Sequence, residues 1–287
     1  MAELRGGLIG CGFFARNHLH GWREVSGATI VAVADIDLER ARACAREFDI
    51  PSAYGDAEAM LQRERLDFVD IVTQPSAHVP LIRLAARHRV HVICQKPLAP
   101  SLEEAREAVL ACREAGVRLM VHENFRWQSP MRALKRAATE SLGTLFFGRI
   151  AFRSGFDVFR NQPYLAHEPR FIVYDLGVHL LDLARFFFGE FDRLVCQAQR
   201  VRPGIRGEDV ATILLAAADG ATCVVELSYA SRLERELFPQ TLVHLEGTGG
   251  SATVGPDYLL THVAGGTVQR HRVHPRLYRW STPPLEA

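Results

Sequence analysis

Apolar runs and amphipathic stretches alternate along the chain up to residue 122. Leu8–Ile9 closes a short strand, and residues 13–26 read as a helix. Thr29–Asp35 (TIVAVAD) is a β-branched run of the kind that forms a buried strand. Leu38–Phe48 is helical and rich in Ala and Arg; Glu58–Arg65 reads as a short helix, Phe68–Thr73 as a strand, His78–Arg89 as a helix and Val90–Cys94 as a strand. Leu102–Ala115 predicts a helix with a capping box at Ser101 and Glu104, ended by Gly116. Val117–Val121 closes the series as a strand. Strands alternating with helices of this length predict an α/β domain over residues 1–122, built on a parallel, doubly wound sheet.

The pattern then changes. Residues 130–140 read as a helix, Thr144–Phe152 as a strand and 175–188 as one strong helix. From Leu194 onward strand follows strand (194–201, 209–217, 221–230, 240–246, 250–254, 258–263 and 267–273), with Gly-bearing turns at Asp219-Gly220 and Gly265-Gly266. Residues 123–287 are therefore expected to form an α+β domain with a large open, mostly antiparallel sheet.

Length agrees with two domains: 287 residues, at ~100–200 each. The formal net charge of +1 gives no basic excess to drive binding to nucleic acid or an anionic membrane. The N-terminal MAELRGGLIG lacks the pattern of a signal peptide, and no apolar run approaches the ~20 residues of a spanning helix. Six scattered cysteines have neither CxxC nor zinc-ligand spacing. These features together predict reduced thiols, no metal and a cytoplasmic protein.

Chemistry enters at Gly10-Cys11-Gly12-Phe13-Phe14-Ala15, which fits G-x-G-x-x-G/A between a strand and a helix. Gly10 allows the tight turn, Gly12 lets a pyrophosphate approach the backbone, and Ala15 keeps the helix close to the sheet. The pyrophosphate then meets free N–H groups at the positive end of the helix. Asp35, at the end of the second strand, is placed to bind the ribose hydroxyls of NAD and to repel the 2′-phosphate of NADP. Arg40 nearby leaves NADP use open.

Four further segments carry a resemblance. Ile71–His78 (IVTQPSAH) resembles the T-x-P-x-x-H segment of the glucose–fructose oxidoreductase / inositol dehydrogenase / MocA family. Cys94–Leu98 (CQKPL) is similar to its E-K-P signature, Glu123–Arg126 (ENFR) to its N-x-R segment, and Asp175–Asp182 (DLGVHLLD) to its D-x-G-x-H-x-x-D helix start. The resemblance implies an N-terminal Rossmann domain, a C-terminal domain with a large open sheet, and NAD or NADP. It implies oxidation of a sugar or polyol hydroxyl, or the reverse, and dimers or tetramers formed through the sheet. Gln95 departs from the family's usual Glu. Family members also continue for several tens of residues, so the chain is expected to lack that late C-terminal segment.

Oxidising a secondary alcohol needs a proton acceptor and a group that holds the oxygen. Lys96 is the candidate holder, at the carboxyl edge of the sheet where ligands bind. It is one of two lysines, with Lys135, among 34 basic residues. His179 is the natural proton acceptor. Asp175, His179 and Asp182 share a helical stripe at i, i+4 and i+7, and Asp175 is expected to bind substrate or orient the imidazole. The resemblance gives catalytic roles to Asp175 and His179. Phe13, Phe14, Thr73, Pro75, His78, Gln95, Lys96 and Asn124 complete the expected cofactor contacts. Arg126, Phe156 and Asp157 join Lys96, Asp175 and His179 as expected substrate contacts. The leading expectation is an NAD-dependent dehydrogenase of a sugar, polyol or cyclitol, with the aldose apiose among the candidates. A non-catalytic NAD or sugar sensor and an NAD-dependent glycosidase are the alternatives.

Overall fold

Strands covered on both faces have no place for polar alternation, and the first unit is built on such strands. In Ala28–Ala34 (ATIVAVA) every residue but Thr29 is buried. The computed structural model describes residues 3–275. These divide into two units between His122 and Glu123.

The first unit runs β1 (Leu4–Ile9), α1 (Ala15–Glu24), β2 (Ala28–Ala34), α2 (Leu38–Phe48), β3 (Ser52–Tyr54), α3 (Ala57–Arg63), β4 (Phe68–Ile71), α4 (Pro75–Arg87), β5 (His91–Gln95), α5 (Leu102–Glu114) and β6 (Leu119–His122). The sheet order is β3-β2-β1-β4-β5-β6 with every pair parallel. This is the doubly wound order whose strand sequence reverses beside β1, which opens a crevice at the carboxyl ends. Gly10, Asp35, Thr73 and Lys96 all follow carboxyl ends of strands. Two details differ from the expected elements. The three residues of β3, partly buried, are too few to show a period. Helix α4 starts at Pro75 rather than His78, because proline at the first helical position costs no hydrogen bond.

The second unit opens with a 3₁₀ turn at Phe125–Trp127. It continues through α6 (Ser129–Ser141), β7 (Leu145–Arg153), a π-helical turn at Val173–Gly177, α7 (Val178–Phe188), β8 (Arg193–Gln199), β9 (Val210–Ala216), β10 (Thr222–Ser228), β11 (Leu242–Gly247), β12 (Gly250–Val254), β13 (Leu259–Ala264) and β14 (Thr267–Arg272). Eight strands pair in the order β14-β13-β12-β11-β7-β10-β9-β8, antiparallel except for β7 with β10. β9 and β11 bury alternate residues, so one face of the sheet carries the core. Leu180, Leu183, Ala184 and Phe187 of α7 pack into that core with Ile150, Val225 and Leu245. The helix expected over 175–188 starts earlier, at Val173, and its first turn is wound as π, a form that recurs at functional sites. Asp175 and His179 therefore do not lie on a plain α-helical row. Among the described residues no helix is long and apolar enough to cross a membrane.

Candidate functional site

The glycine turn is shaped by a close approach. Gly10 has φ +96°, and a Cβ there would lie 2.5 Å from the carbonyl oxygen of Val72 and 2.8 Å from Thr73 Cγ2. At Gly12 nothing among the described residues lies within 4 Å of the Cβ position. Helix α1 begins just beyond, with no side-chain cap and no acidic residue in its first turn. Two of its first N–H groups are already used, that of Ala15 donating to the Gly12 carbonyl at 3.2 Å and that of Asn17 to the Phe14 carbonyl at 3.1 Å, while the positive end of the helix still favours an anion. Ala15 is buried, Phe14 packs edge-on against the His18 ring, and Phe13 is exposed. Asp35 is 7% exposed. Its Oδ2 accepts the Cys11 N–H at 2.8 Å, its Oδ1 accepts the Asp37 N–H at 2.9 Å, and Arg40 Nη1 stands 3.4 Å from Oδ1. A hydrogen bond with Cys44, followed by burial, raises the Cys11 thiol far above its usual range. The turn therefore carries no thiolate to repel a phosphate. The tight glycine turn, the positive end of α1 and a carboxylate at the end of β2 fit a dinucleotide. Ile36, almost wholly exposed beside Asp35, adds an apolar face that sequence reasoning passed over.

Lys96 is half-buried after β5, and its main chain is held on both sides. Its N–H donates to its neighbour's side chain, Gln95 Oε1, at 2.6 Å. On the other side His78 lies with Nδ1 2.9 Å from the Pro97 carbonyl and Nε2 3.1 Å from that of Thr73. His78 is fully buried, and burial lowers its pKa. The cofactor contacts expected of His78 and Gln95 are therefore corrected. Both side chains are inside the fold and tied to main chain or to other buried groups, His78 as a strut between two turns. Gln95 Nε2 lies 3.0 Å from His18 Nε2, and His18 Nδ1 lies 2.8 Å from Asp70 Oδ2, which also accepts from Trp22 Nε1 at 2.7 Å. Sequence reasoning missed this cluster. Its one signal is Asp70 itself, a charged residue inside the buried run FVDI, which must be answered by donors.

In the second unit, His179 is buried on α7. Its Nδ1 lies 2.6 Å from Glu123 Oε1, and its ring stacks on Phe125 at 4.0 Å and 6°. Glu123 Oε1 also accepts the Phe125 N–H at 3.1 Å. Glu123 thus orients the imidazole at Nδ1, one of the two tasks expected of Asp175, the other being to bind substrate. Asp175 is half-buried in the π turn. Burial first, and the Asp175 charge next, push the Tyr164 hydroxyl up to about 12. They act on Tyr229 in the same direction. Arg126 donates from Nε to Asp182 Oδ2 at 2.6 Å and from Nη2 to Oδ1. That bidentate pair uses two of its five donors inside the protein. Phe156 stacks on Phe238 at 4.1 Å, and the exposed Asp157 caps the next turn through the Phe159 N–H. Both are thereby given structural partners in place of the substrate contacts expected of them. Asn124 Oδ1 is buried without a hydrogen-bond partner in the protein, an acceptor for a bound molecule or water to meet. Among the described residues no group of three His, Cys, Asp or Glu side chains could hold a metal ion.

Comparison with known proteins bears on this geometry. A family model described as "Oxidoreductase family, NAD-binding Rossmann fold" matches residues 4–123, and one for the GFO/IDH/MocA C-terminal domain matches residues 131–253. The chain is 54% identical to a D-apiose dehydrogenase of Paraburkholderia graminis, over 99% of this chain and 76% of that protein. It is 48% identical to a D-apiose dehydrogenase of Rhizobium rhizogenes, over 99% and 83%. A crystal structure of an oxidoreductase from Agrobacterium radiobacter in complex with NAD+, L-tartaric acid and magnesium superposes with a TM-score of 0.95. It is 46% identical, and the match covers 99% of this chain and 83% of that one.

The two glycines should separate fold from ligand. Gly10→Ala forces a Cβ against Val72 and is expected to lower the melting temperature. Gly12→Ala places its methyl where no described residue lies within 4 Å, so it should melt as wild type while weakening NAD binding about tenfold or more in calorimetry. Wild-type NAD affinity in folded Gly12→Ala would remove the pyrophosphate from this turn.

Proposed function

The chain belongs to the Gfo/Idh/MocA oxidoreductase family, and from that premise we propose that it is an NAD-dependent dehydrogenase of a small aldose, D-apiose foremost. The 54% identity to the Paraburkholderia enzyme, sustained along 99% of the chain, carries the choice of sugar. Bound NAD supplies the acceptor for the electron pair of the C–H bond. The protein's own groups do the rest. The glycine turn and the start of α1 hold the pyrophosphate, and Asp35 holds the ribose. Lys96 donates to the sugar oxygen that becomes the carbonyl. His179 takes the hydroxyl proton at Nε2, because Glu123 keeps the other proton on Nδ1 and steadies the imidazolium that forms. Asp175 accepts from sugar hydroxyls.

Incubation with NAD and D-apiose is expected to yield NADH, read by its near-ultraviolet absorbance. Lys96→Ala should lower kcat/KM by about 10²–10³, the usual scale for losing an oxyanion donor. Glu123→Gln should lower kcat by about tenfold or more with KM little changed, since it removes charge that stabilises the imidazolium. NAD binding without turnover of D-apiose or any related aldose or polyol would favour a sensor. Release of free sugar from a glycoside without accumulation of NADH would favour a glycosidase. Either result ends the dehydrogenase reading.

Self-association through the eight-stranded sheet is part of the same proposal. Leu194 and Val195 on edge strand β8 are 65% and 69% exposed, and Leu214 on β9 is 45% exposed. A dimer or tetramer is expected in sedimentation equilibrium, shifted to monomer by Leu194→Asp; a wild-type monomer contradicts it. The proposed location is the cytoplasm. Cys11, Cys44, Cys94, Cys112 and Cys223 are buried free thiols and Cys196 an exposed one, a state kept by a reducing compartment. Recovery of the protein outside the soluble cytoplasmic fraction of its cells would refute that placement.

A further inference from the structure

A chain of buried polar groups lies behind the Lys96 turn. Asp70 on β4 is 1% exposed, and its Oδ2 meets Trp22 Nε1 and His18 Nδ1. His18 on α1 is 7% exposed, with its other nitrogen 3.0 Å from Gln95 Nε2. Gln95 Oε1 in turn lies 2.6 Å from the Lys96 nitrogen. The remaining neighbours of the His18 ring are His122 on β6, at 4.3 Å, and Phe14, at 5.5 Å. On β5 the Cys94 thiol is pushed up by burial and by the Asp70 charge, so it adds no second anion.

One end of this chain is fixed by chemistry. A main-chain N–H can only donate, so the Gln95 atom beside Lys96 is the carbonyl oxygen. The amide NH₂ then faces His18. A donor requires an acceptor, so Nε2 of His18 carries a lone pair. A neutral imidazole with a bare Nε2 keeps its proton on Nδ1, where Asp70 accepts it. Turning the Gln95 amide over would oppose two donors at 2.6 Å. Groups on α1, β4 and β5 thus share one self-consistent pattern of protons.

We propose that His18 and Gln95 are positioning residues. Neutral His18, protonated on Nδ1, locks the Gln95 amide, and the locked amide holds the main chain of Lys96 at the carboxyl end of β5. A glutamate at 95, usual in the family, needs the opposite proton on the histidine. One carboxylate oxygen still takes the Lys96 N–H, but the other meets Nε2 of His18 only when that nitrogen is protonated. Glutamate with imidazolium and glutamine with neutral imidazole carry the same net charge. The clamp on Lys96 is the same in both; the proton on His18 is not.

The test uses the whole protein with NAD bound and nitrogen-15 in its histidines. Wild-type His18 should show a protonated Nδ1 and a bare Nε2 at neutral pH. In Gln95→Glu both nitrogens should be protonated at neutral pH, with one proton lost as pH rises. Turnover, which rests on the role proposed for Lys96, should follow. Gln95→Glu is expected within a few-fold of wild type while His18 is doubly protonated, and should decline above that. Gln95→Met, which leaves the Lys96 N–H without its acceptor, should lose about tenfold or more in kcat with NAD affinity unchanged. A wild-type His18 protonated on Nε2, or His18 signals unmoved in Gln95→Glu, overturns the proton pattern. Wild-type kcat in Gln95→Met overturns the positioning role. If Gln95→Glu fails to fold, the wild-type signals still decide the tautomer. If Lys96→Ala turns over normally, the role proposed for Lys96 falls while the nitrogen signals still judge His18.

Discussion

Asp35 and Asp70 stand at the carboxyl ends of β2 and β4 with 7% and 1% of their surface exposed. A carboxylate taken this far out of water must be met by donors, and leaving it unanswered costs several kcal/mol. The donors that meet it fix the turns around it. Asp35 takes the N–H of Cys11 and so sets the glycine turn. Asp70 takes the indole of Trp22 and the ring of His18, and through His18 and Gln95 reaches Lys96. Both ligand-facing turns of the first unit are thus positioned by buried negative charge rather than by apolar packing alone. Asp70 Oδ1 has no hydrogen-bond partner in the protein, which confines its stabilisation to Oδ2.

The second unit repeats the device at its own start. Glu123 Oε1 takes the N–H of Phe125 and faces His179 Nδ1, while Phe125 stacks on the same imidazole. The ring is thereby fixed in tautomer, tilt and position by two residues of one short segment, Glu123 and Phe125. Three residues beyond His179, Asp182 holds Arg126 in a bidentate pair. The short segment 123–127 is therefore clamped to α7 at two places, His179 and Asp182.

What the sequence made legible follows from the range of each interaction. Leu38–Phe48 was readable to the residue, because its helical period is local, as are the stops the structure shows at either end, the Asp37 cap and the left-handed Asp49. Gly10, Gly12 and Asp35 were readable for the same reason: each answers a backbone requirement within one strand–turn–helix unit. The pairs that position the chemistry are not local. His18 meets Asp70 across 52 residues, and Glu123 meets His179 across 56. Nothing in a single sequence says which buried carboxylate serves which imidazole, so helical spacing offered Asp175 for the imidazole and could not show Glu123 at its Nδ1. His78 and Gln95 matched their motifs, but a motif fixes where a residue sits along a strand and not whether its side chain turns inward.

The scarcity of lysine reads differently once both lysines are in view. Lys135 Nζ lies 3.3 Å from the Phe187 carbonyl and over the Phe186 ring at 5.5 Å, and burial lowers its pKa. Nothing places it near a candidate catalytic group of either unit. It stands where a compact, single-point donor fits and the wide fork of an arginine would not. A chain that uses lysine for tight packing does not mark Lys96 as catalytic by its rarity. Lys96 is distinguished instead by the hold on its main chain, with Gln95 accepting its N–H and His78 against the carbonyl of the next residue. An amine needed only for charge would tolerate a loose backbone. Two buried side chains fixing the peptide on either side of one residue indicate that the direction of its side chain is what the fold preserves.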